Sequence, residues 1–392
     1  MIQRLIKKKF LQFVHQYPVV MLTGPRQSGK TTLCKQVLPH KAYVSLETPD
    51  VREFAHSDPR GFLAQYPDGL IIDEAQRVPE LFSYIQGIVD DKKKSKGMFV
   101  LTGSQNFQLL DKVNQSLAGR TAILKLLPFS MSEIKSHVRK LTLDEMLLKG
   151  FYPRIYDEKL DPHEALSFYF QAYVERDVRS LLHVRDLSSF QKFVRLCAGR
   201  VGQVLNLTNL GSDAGISHTT AREWLSLLEA SYIVFLLPPY HKNFSKRLTK
   251  APKLYFYDVG LASYLLGIEN AKQMQRDPLR GHLFENLVVM EFLKRRYENA
   301  EASNLSFFRD SNKNEVDLIM PSQEGLWAIE IKSSQTVASD FFKDLHYFNQ
   351  ISAGANIKNI LIYGGGEHQM RSSGEVIGWK NLNTIFDGAL KK

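Results

Sequence analysis

The chain has 392 residues, of which 44% are hydrophobic, 23% charged and 11% aromatic. At roughly 150 residues per domain this predicts two or three domains, each able to bury its own core, and it excludes a disordered or fibrous chain. A net charge of +10 favours an anionic partner. No run of about 18 apolar residues occurs, so no membrane span is expected. Residues 1–10 lack the apolar core and cleavage site of a secretory signal. Two cysteines, Cys34 and Cys197, exclude a disulfide framework and a cysteine zinc site. The expected compartment is the cytoplasm.

In chain order, short apolar runs at 19–23, 42–46, 70–73, 98–102 and 122–127 alternate with amphipathic stretches. This is the strand–helix alternation of a parallel sheet covered on both faces. From 131 to 200 the period becomes helical, notably at 165–178 and 190–198. Residues 203–260 read as helix, turn, helix and then strand. Beyond 280, a long helix at 283–297 precedes strands at 307–309, 315–320, 326–331 and 359–363, the last ending at the Gly364-Gly365-Gly366 turn.

The segment Gly24-Pro25-Arg26-Gln27-Ser28-Gly29-Lys30-Thr31-Thr32 follows an apolar strand and opens a helix, and it fits the P-loop pattern. Its glycines let successive backbone N–H groups point at phosphates, and the helix N-terminus adds a positive dipole end. Lys30 is expected on the β/γ-phosphates of ATP, and the Thr31 hydroxyl on Mg²⁺. The strand 70–73 ends in Asp73, placed to hold the Mg²⁺ shell, and Glu74 is placed to polarise an attacking water. The strand from Phe99 leads to Ser104 and Gln105, candidates to sense the γ-phosphate.

These segments, GPRQSGKTT, LIIDEAQ (70–76), LTGSQ (101–105) and LAGRTAILKLLPFS (117–130), together resemble the AAA+-type ATPases of prokaryotes that carry a C-terminal domain of unknown function numbered 4143. The resemblance runs over nearly the whole chain. It implies an AAA+ core with a five-stranded parallel sheet and a helical lid, working as a homo-oligomer, with a hexameric ring as one form. By the same resemblance Arg120 matches an arginine finger that reaches a neighbour's γ-phosphate; the plain alternative is a surface arginine at a helix end.

In the middle of the chain, Gly215 lies in a turn between two helical stretches. His218, Thr219, Thr220 and Arg222 open the second, where major-groove readers place their side chains. Lys242, Lys246, Arg247, Lys250 and Lys253 follow between two strands, with Tyr240 and Phe244 interleaved and no acid among them. A basic hairpin beside a recognition helix suits duplex or branched DNA. Winged helices also serve as packing modules, and that reading stays open.

Near the C-terminus Asp317 lies in one strand, and Glu330 and Lys332 end the next after 12 intervening residues. With Glu285 on the preceding helix, this resembles the PD-(D/E)XK nuclease core. The resemblance implies carboxylates converging on Mg²⁺ or Mn²⁺ and a Lys332 that assists catalysis; two amphipathic strands with exposed acids are the alternative. The expected fold class is α/β. Residues 1–135 would be the AAA+ P-loop ATPase core, 136–200 a helical lid, 201–275 a winged helix-turn-helix and 276–392 a restriction-endonuclease-like domain. The expected function is Mg²⁺-dependent ATP hydrolysis coupled to DNA binding or processing, with a metal-dependent nuclease end domain. The alternative is a nucleotide-controlled switch whose C-terminal half is a degenerate nuclease fold that binds a protein.

Overall fold

The structure, a computed structural model, describes residues 2–91, 96–104, 116–174, 187–240, 249–352 and 355–389. Two compact units divide the chain. The first comprises residues 1–129 with the short segments 230–232 and 296–302, and the second holds the remainder.

Unit 1 is built on a parallel sheet of β1 (Val19–Thr23), β2 (Ala42–Ser45), β3 (Leu70–Asp73), β4 (Phe99–Gly103) and β5 (Thr121–Lys125), in the order β2-β3-β4-β1-β5. All residues of β1, β3 and β4 are buried, because apolar layers cover both faces. Met21, Ile72 and Leu101 point to the layer holding Phe62, Phe82 and Ile85. Val20, Leu22, Ile71 and Val100 point to the opposite layer, with Leu33. Strand alternation therefore splits each run between two cores. Around the sheet stand α1 (Lys7–Gln16), α2 (Lys30–Val37), α3 (Pro49–Ser57), α4 (Pro59–Ala64) and α5 (Leu81–Asp91). The helix α1 has no counterpart in the sequence reading, because Lys7, Lys8 and Lys9 obscure the spacing of its buried Phe10 and Val14. The strand order sets the carboxyl ends of β1, β3 and β4 beside one another, where ligands bind in open α/β sheets.

Unit 2 opens with α6 (Lys135–Val138), α7 (Leu143–Lys149), α8 (Pro153–Asp157), α9 (Pro162–Tyr173) and α10 (Leu187–Ala198). A capping box between Thr142 and Glu145 starts α7. Next come β6 (Gln203–Val204), α11 (Leu207–Ala214), α12 (His218–Ala230), β7 (Val234–Leu237) and β8 (Lys253–Phe256). The left-handed Gly215 ends α11, and the Ser217 hydroxyl accepts from the Thr220 N–H to start α12. The strands pair antiparallel in the order β6-β8-β7. Helix, turn, helix and hairpin are the parts of a winged helix.

After α13 (Val259–Leu265) and α14 (Ala271–Arg276), α15 (Arg280–Glu298) precedes a six-stranded mixed sheet. Its strands are β9 (Ser306–Arg309), β10 (Glu315–Ser322), β11 (Gly325–Lys332), β12 (Ile357–Tyr363), β13 (His368–Arg371) and β14 (Gly374–Gly378). In the order β13-β14-β12-β11-β10-β9, the three strands from β9 to β11 are antiparallel, whereas β12 runs parallel to β11. The crossover contains α16 (Lys343–Ile351), and α17 (Leu382–Ala389) closes the described chain. The hairpin β13–β14 was not anticipated: β13 is exposed or half-buried throughout and so carries no apolar run.

Residues 283–294 of α15 are buried on every side of the helix, so its polar groups must find partners inside the protein. Glu291 accepts from the Met131 N–H at 2.8 Å and from Lys294 Nζ at 2.9 Å. Asn286 accepts from the Phe256 N–H at 2.6 Å and donates to the Phe256 carbonyl at 2.9 Å. It thus closes the edge of β8 beyond the two-residue β6. Asn286→Ala would leave both backbone groups unsatisfied and should lower stability by about 2–4 kcal/mol. Denaturant unfolding measures this, and a loss below about 1 kcal/mol would remove the clamp from the account of β8.

Candidate nucleotide site and the C-terminal carboxylate cluster

The P-loop residues lie in the turn from β1 into α2. Gly24 and Gly29 have φ of 144° and 89°, a region open to glycine but strained for other residues. At Gly24 a Cβ would come within 2.1 Å of the Leu126 carbonyl oxygen. Gln27 (φ 58°) and Glu74 (φ 54°) also adopt positive φ, and such strain clusters where function holds it in place. Arg4 fastens the loop from outside the motif: it donates to the Ser28 carbonyl and the Leu127 carbonyl, both at 2.6 Å. Thr23, at the end of β1, shares a 3.0 Å hydrogen bond with the Tyr232 hydroxyl.

Lys30 is buried and donates to the Gly24 carbonyl at 2.9 Å and the Pro25 carbonyl at 2.7 Å. Burial lowers its ammonium pKa to about 8, against the opposing pull of Glu74 and Asp73. The Thr31 hydroxyl donates to Asp73 Oδ2 at 2.8 Å, and the Tyr43 hydroxyl does the same at 2.8 Å. Thr102 donates to Asp73 Oδ1. Burial, and then the bond to Asp73, push the Tyr43 hydroxyl's pKa up. Ser104 reaches Glu74 Oε2 at 3.4 Å, and Gln76 donates to the same oxygen. The structure therefore brings Lys30, Thr31, Asp73, Glu74 and Ser104 to one sheet edge, whereas Gln105 lies outside the described residues. A hydroxyl and a carboxylate 2.8 Å apart beside an ammonium are a donor set that suits Mg²⁺ on a nucleotide phosphate. Sequence reasoning missed Arg4, Tyr43 and Thr102. Only Thr102 carried a signal, as a polar residue ending an apolar strand.

Arg120 precedes β5 and forms a two-pronged pair with Asp90, Nε to Oδ1 at 2.6 Å and Nη2 to Oδ2 at 2.8 Å; it also donates to the Ala118 carbonyl at 3.0 Å. On α12, His218, Thr219 and Arg222 are exposed and Thr220 half-buried, while Ala221, Trp224, Leu225 and Leu228 are buried. Lys250 is exposed, and Lys242, Lys246 and Arg247 lie outside the described residues.

In the C-terminal cluster, Glu285, Asp317, Glu330 and Lys332 come from α15, β10 and β11, and β8 adds Lys253 and Tyr255. Lys253 Nζ lies 2.7 Å from Glu285 Oε1 and 3.5 Å from Asp317 Oδ1, and it contacts Glu315 Oε1. The Tyr255 hydroxyl donates to Glu285 Oε1, and the Ile331 N–H to Asp317 Oδ2 at 2.9 Å. Lys332 pairs with Glu330 Oε1. Burial opposes ionisation of Glu285, yet Lys253 holds its pKa down at about 2. Asp317 rises to about 6 through burial and the nearby Glu285. Glu330 rises well above the carboxylate range, from burial and then from Asp317. Among the described residues no group of three His, Cys, Asp or Glu side chains is arranged to hold a metal ion. The donor set, with its oxygens already on two lysines, does not fit a divalent cation. Lys253, read from the sequence as one of the basic residues between the two strands, is instead buried at the start of β8 against Glu285, 32 residues further on, so it is not part of an exposed basic loop.

Residues 16–135 match the family model of an AAA domain, 140–272 that of the domain of unknown function 8612, and 280–382 that of the domain of unknown function 4143. An uncharacterized protein of Mycobacterium tuberculosis, Rv2008c, is 29% identical over 328 residues, covering 82% of this chain and 72% of that protein. Mb2031c of Mycobacterium bovis matches to the same extent. Among solved structures, the Walker-type ATPase PABY2304 of Pyrococcus abyssi is 15% identical with a TM-score of 0.43, covering 66% of this chain and 94% of that one. The RuvB Holliday junction branch migration motor of Thermotoga maritima is 19% identical with a TM-score of 0.31, covering 60% and 90%. No described helix is long and apolar enough to cross a membrane. With its P-loop and parallel sheet, the chain carries an AAA domain followed by a C-terminal domain of unknown function 4143, the domain pairing of the AAA+-type ATPases it resembles.

Proposed function

We propose that this chain hydrolyses ATP as its Mg²⁺ complex, acts as a homo-oligomer and couples turnover to DNA binding. The observation that carries the reading is the convergence of Lys30, Thr31, Asp73 and Glu74 on one sheet edge. Lys30 would leave the Gly24 and Pro25 carbonyls for the β/γ-phosphates, so the loop lysine is held ready without an unsatisfied buried charge. Thr31 and Asp73 would hold Mg²⁺, which supplies charge neutralisation on the phosphates when bound. Glu74 stands one residue past the sheet edge, oriented by Gln76 and Ser104, and would position the attacking water. Arg120 would reach a neighbour's nucleotide after exchanging Asp90 for phosphate, which makes subunit contact part of turnover.

DNA contact rests on the outward face of α12, with exposed His218, Thr219 and Arg222, and on Lys250 nearby in sequence to the hairpin. Phosphodiester cleavage is not part of this reading, because the C-terminal carboxylates are engaged by Lys253 and Lys332. That same pairing favours a second reading, a nucleotide-controlled switch whose C-terminal half binds a protein. The two separate on whether the chain binds duplex or branched DNA with a steep salt dependence.

Three outcomes are expected. Lys30→Ala should abolish ATP binding, whereas Glu74→Gln should bind ATP and turn it over at least about 100-fold more slowly. Unchanged hydrolysis by Glu74→Gln would remove Glu74 from its role. Arg120→Ala should bind ATP normally and lose about 10³-fold in rate. Mixing it with Lys30→Ala protein should restore activity; a fully active monomer would exclude action between subunits. The third outcome concerns pH. The phosphate-binding form of Lys30 is the ammonium, present below its pKa of about 8 and lost above it. ATP affinity should therefore be flat to pH 7.5 and about tenfold weaker at pH 9, as a one-unit excess over the pKa requires. Titration calorimetry from pH 7 to 9.5 measures this, and a flat profile would contradict the assignment.

A further inference from the structure

We infer that Lys253 is the built-in counter-cation of the C-terminal carboxylate cluster, and that its ammonium stands where a divalent metal would, so the domain binds no metal there. The position of the amine carries the inference. Lys253 is 1% exposed and sits at the start of β8, and its Nζ faces carboxylates from two further elements: Glu285 of α15, and Glu315 and Asp317 of β10. An ammonium has three N–H donors and no acceptor. Three carboxylates converge on it, so its donor capacity is matched by the groups that would otherwise ligate a cation.

The remaining oxygens are also committed. Glu285 Oε1 accepts from Tyr255 as well, and Glu285 Oε2 lies 3.6 Å from His282 Nδ1. Asp317 Oδ2 is held by the Ile331 N–H, Glu315 Oε2 by Arg309 Nη1 at 2.9 Å, and Glu330 Oε1 by Lys332. Glu330 Oε2 makes no hydrogen bond among the described residues, and Glu285 Oε2 has only the 3.6 Å approach of His282. Both belong to carboxylates whose other oxygen is already on a lysine, so no carboxylate here is free of a cation for a hard divalent ion to take. Three cations, Lys253, Arg309 and Lys332, thus face the four carboxylates Glu285, Glu315, Asp317 and Glu330 with no ion added. A metal could enter only by expelling a buried ammonium into the same crowded space, where like charges repel.

The test uses the full-length, nucleotide-free protein, since a fragment starting at residue 276 would lack Lys253 and Tyr255. Mn²⁺ is titrated into the parent and into Asp317→Asn, with thermal melting and calorimetry as readouts; comparing the two cancels any ion bound at the P-loop. The parent and Asp317→Asn should respond identically. A melting shift in the parent that Asp317→Asn removes would overturn the inference. Lys253→Met should melt lower than the parent in chelator, because it strands three carboxylates, and should bind Mn²⁺ at least about tenfold more tightly, recovering part of its lost melting temperature. Binding no tighter than the parent would also overturn it. Lys253→Arg keeps the charge and should stay insensitive to Mn²⁺, so the prediction survives a Lys253→Met protein that fails to fold.

Discussion

A buried carboxylate has to be satisfied completely or not ionise, and Asp73 shows how this constraint organises unit 1. Its two oxygens accept hydroxyls from Thr31 in the P-loop helix, Tyr43 in β2 and Thr102 in β4. One side chain therefore ties three neighbouring elements to the end of β3. The tie sits beside the loop whose Gly24 and Gly29 adopt positive φ, and its hydroxyls fix β2, β4 and the P-loop helix against the end of β3. Because these partners are neutral hydroxyls rather than a cation, in the proposed function Asp73 takes Mg²⁺ by exchanging one of them when a nucleotide arrives.

The C-terminal cluster answers the same constraint with charge. Glu285, Glu315 and Asp317 stand around the Lys253 ammonium, and Glu330 leans on Lys332. Ion pairs of this kind, buried from water, are costly to break by removing one partner and add little when intact, so they specify an arrangement more than they stabilise it. What they specify is the docking of β8 against α15, which Asn286 reinforces through the Phe256 backbone. The strand β8 and the six-stranded C-terminal sheet are thereby parts of one compact unit rather than two.

Much of unit 1 was legible in the sequence. Four-residue and five-residue runs of Val, Ile and Leu ending in Thr, Asp or Gly mark buried parallel strands, and the phosphate loop has a spacing that few other structures share. Consequently Lys30, Thr31, Asp73 and Glu74 could be named from the chain alone. The helix α1 escaped notice behind its lysines. The hairpin β13–β14 did so because β13 faces solvent and has no apolar period.

Local pattern thus determined the strands, the phosphate loop, the helix-turn-helix and the acids of the last domain, since each depends on neighbours within a few residues. Tertiary structure alone decided who partners those acids. Lys253 lies 64 residues before Asp317 in the sequence, yet in the folded chain its Nζ and the Asp317 Oδ1 are 3.5 Å apart. The sequence signature of a metal site and that of a lysine-neutralised cluster are the same Asp, Glu and Lys. Only the position of a cation from a distant strand separates them, because the electrostatic energy that distinguishes the two falls with distance in space and not along the chain.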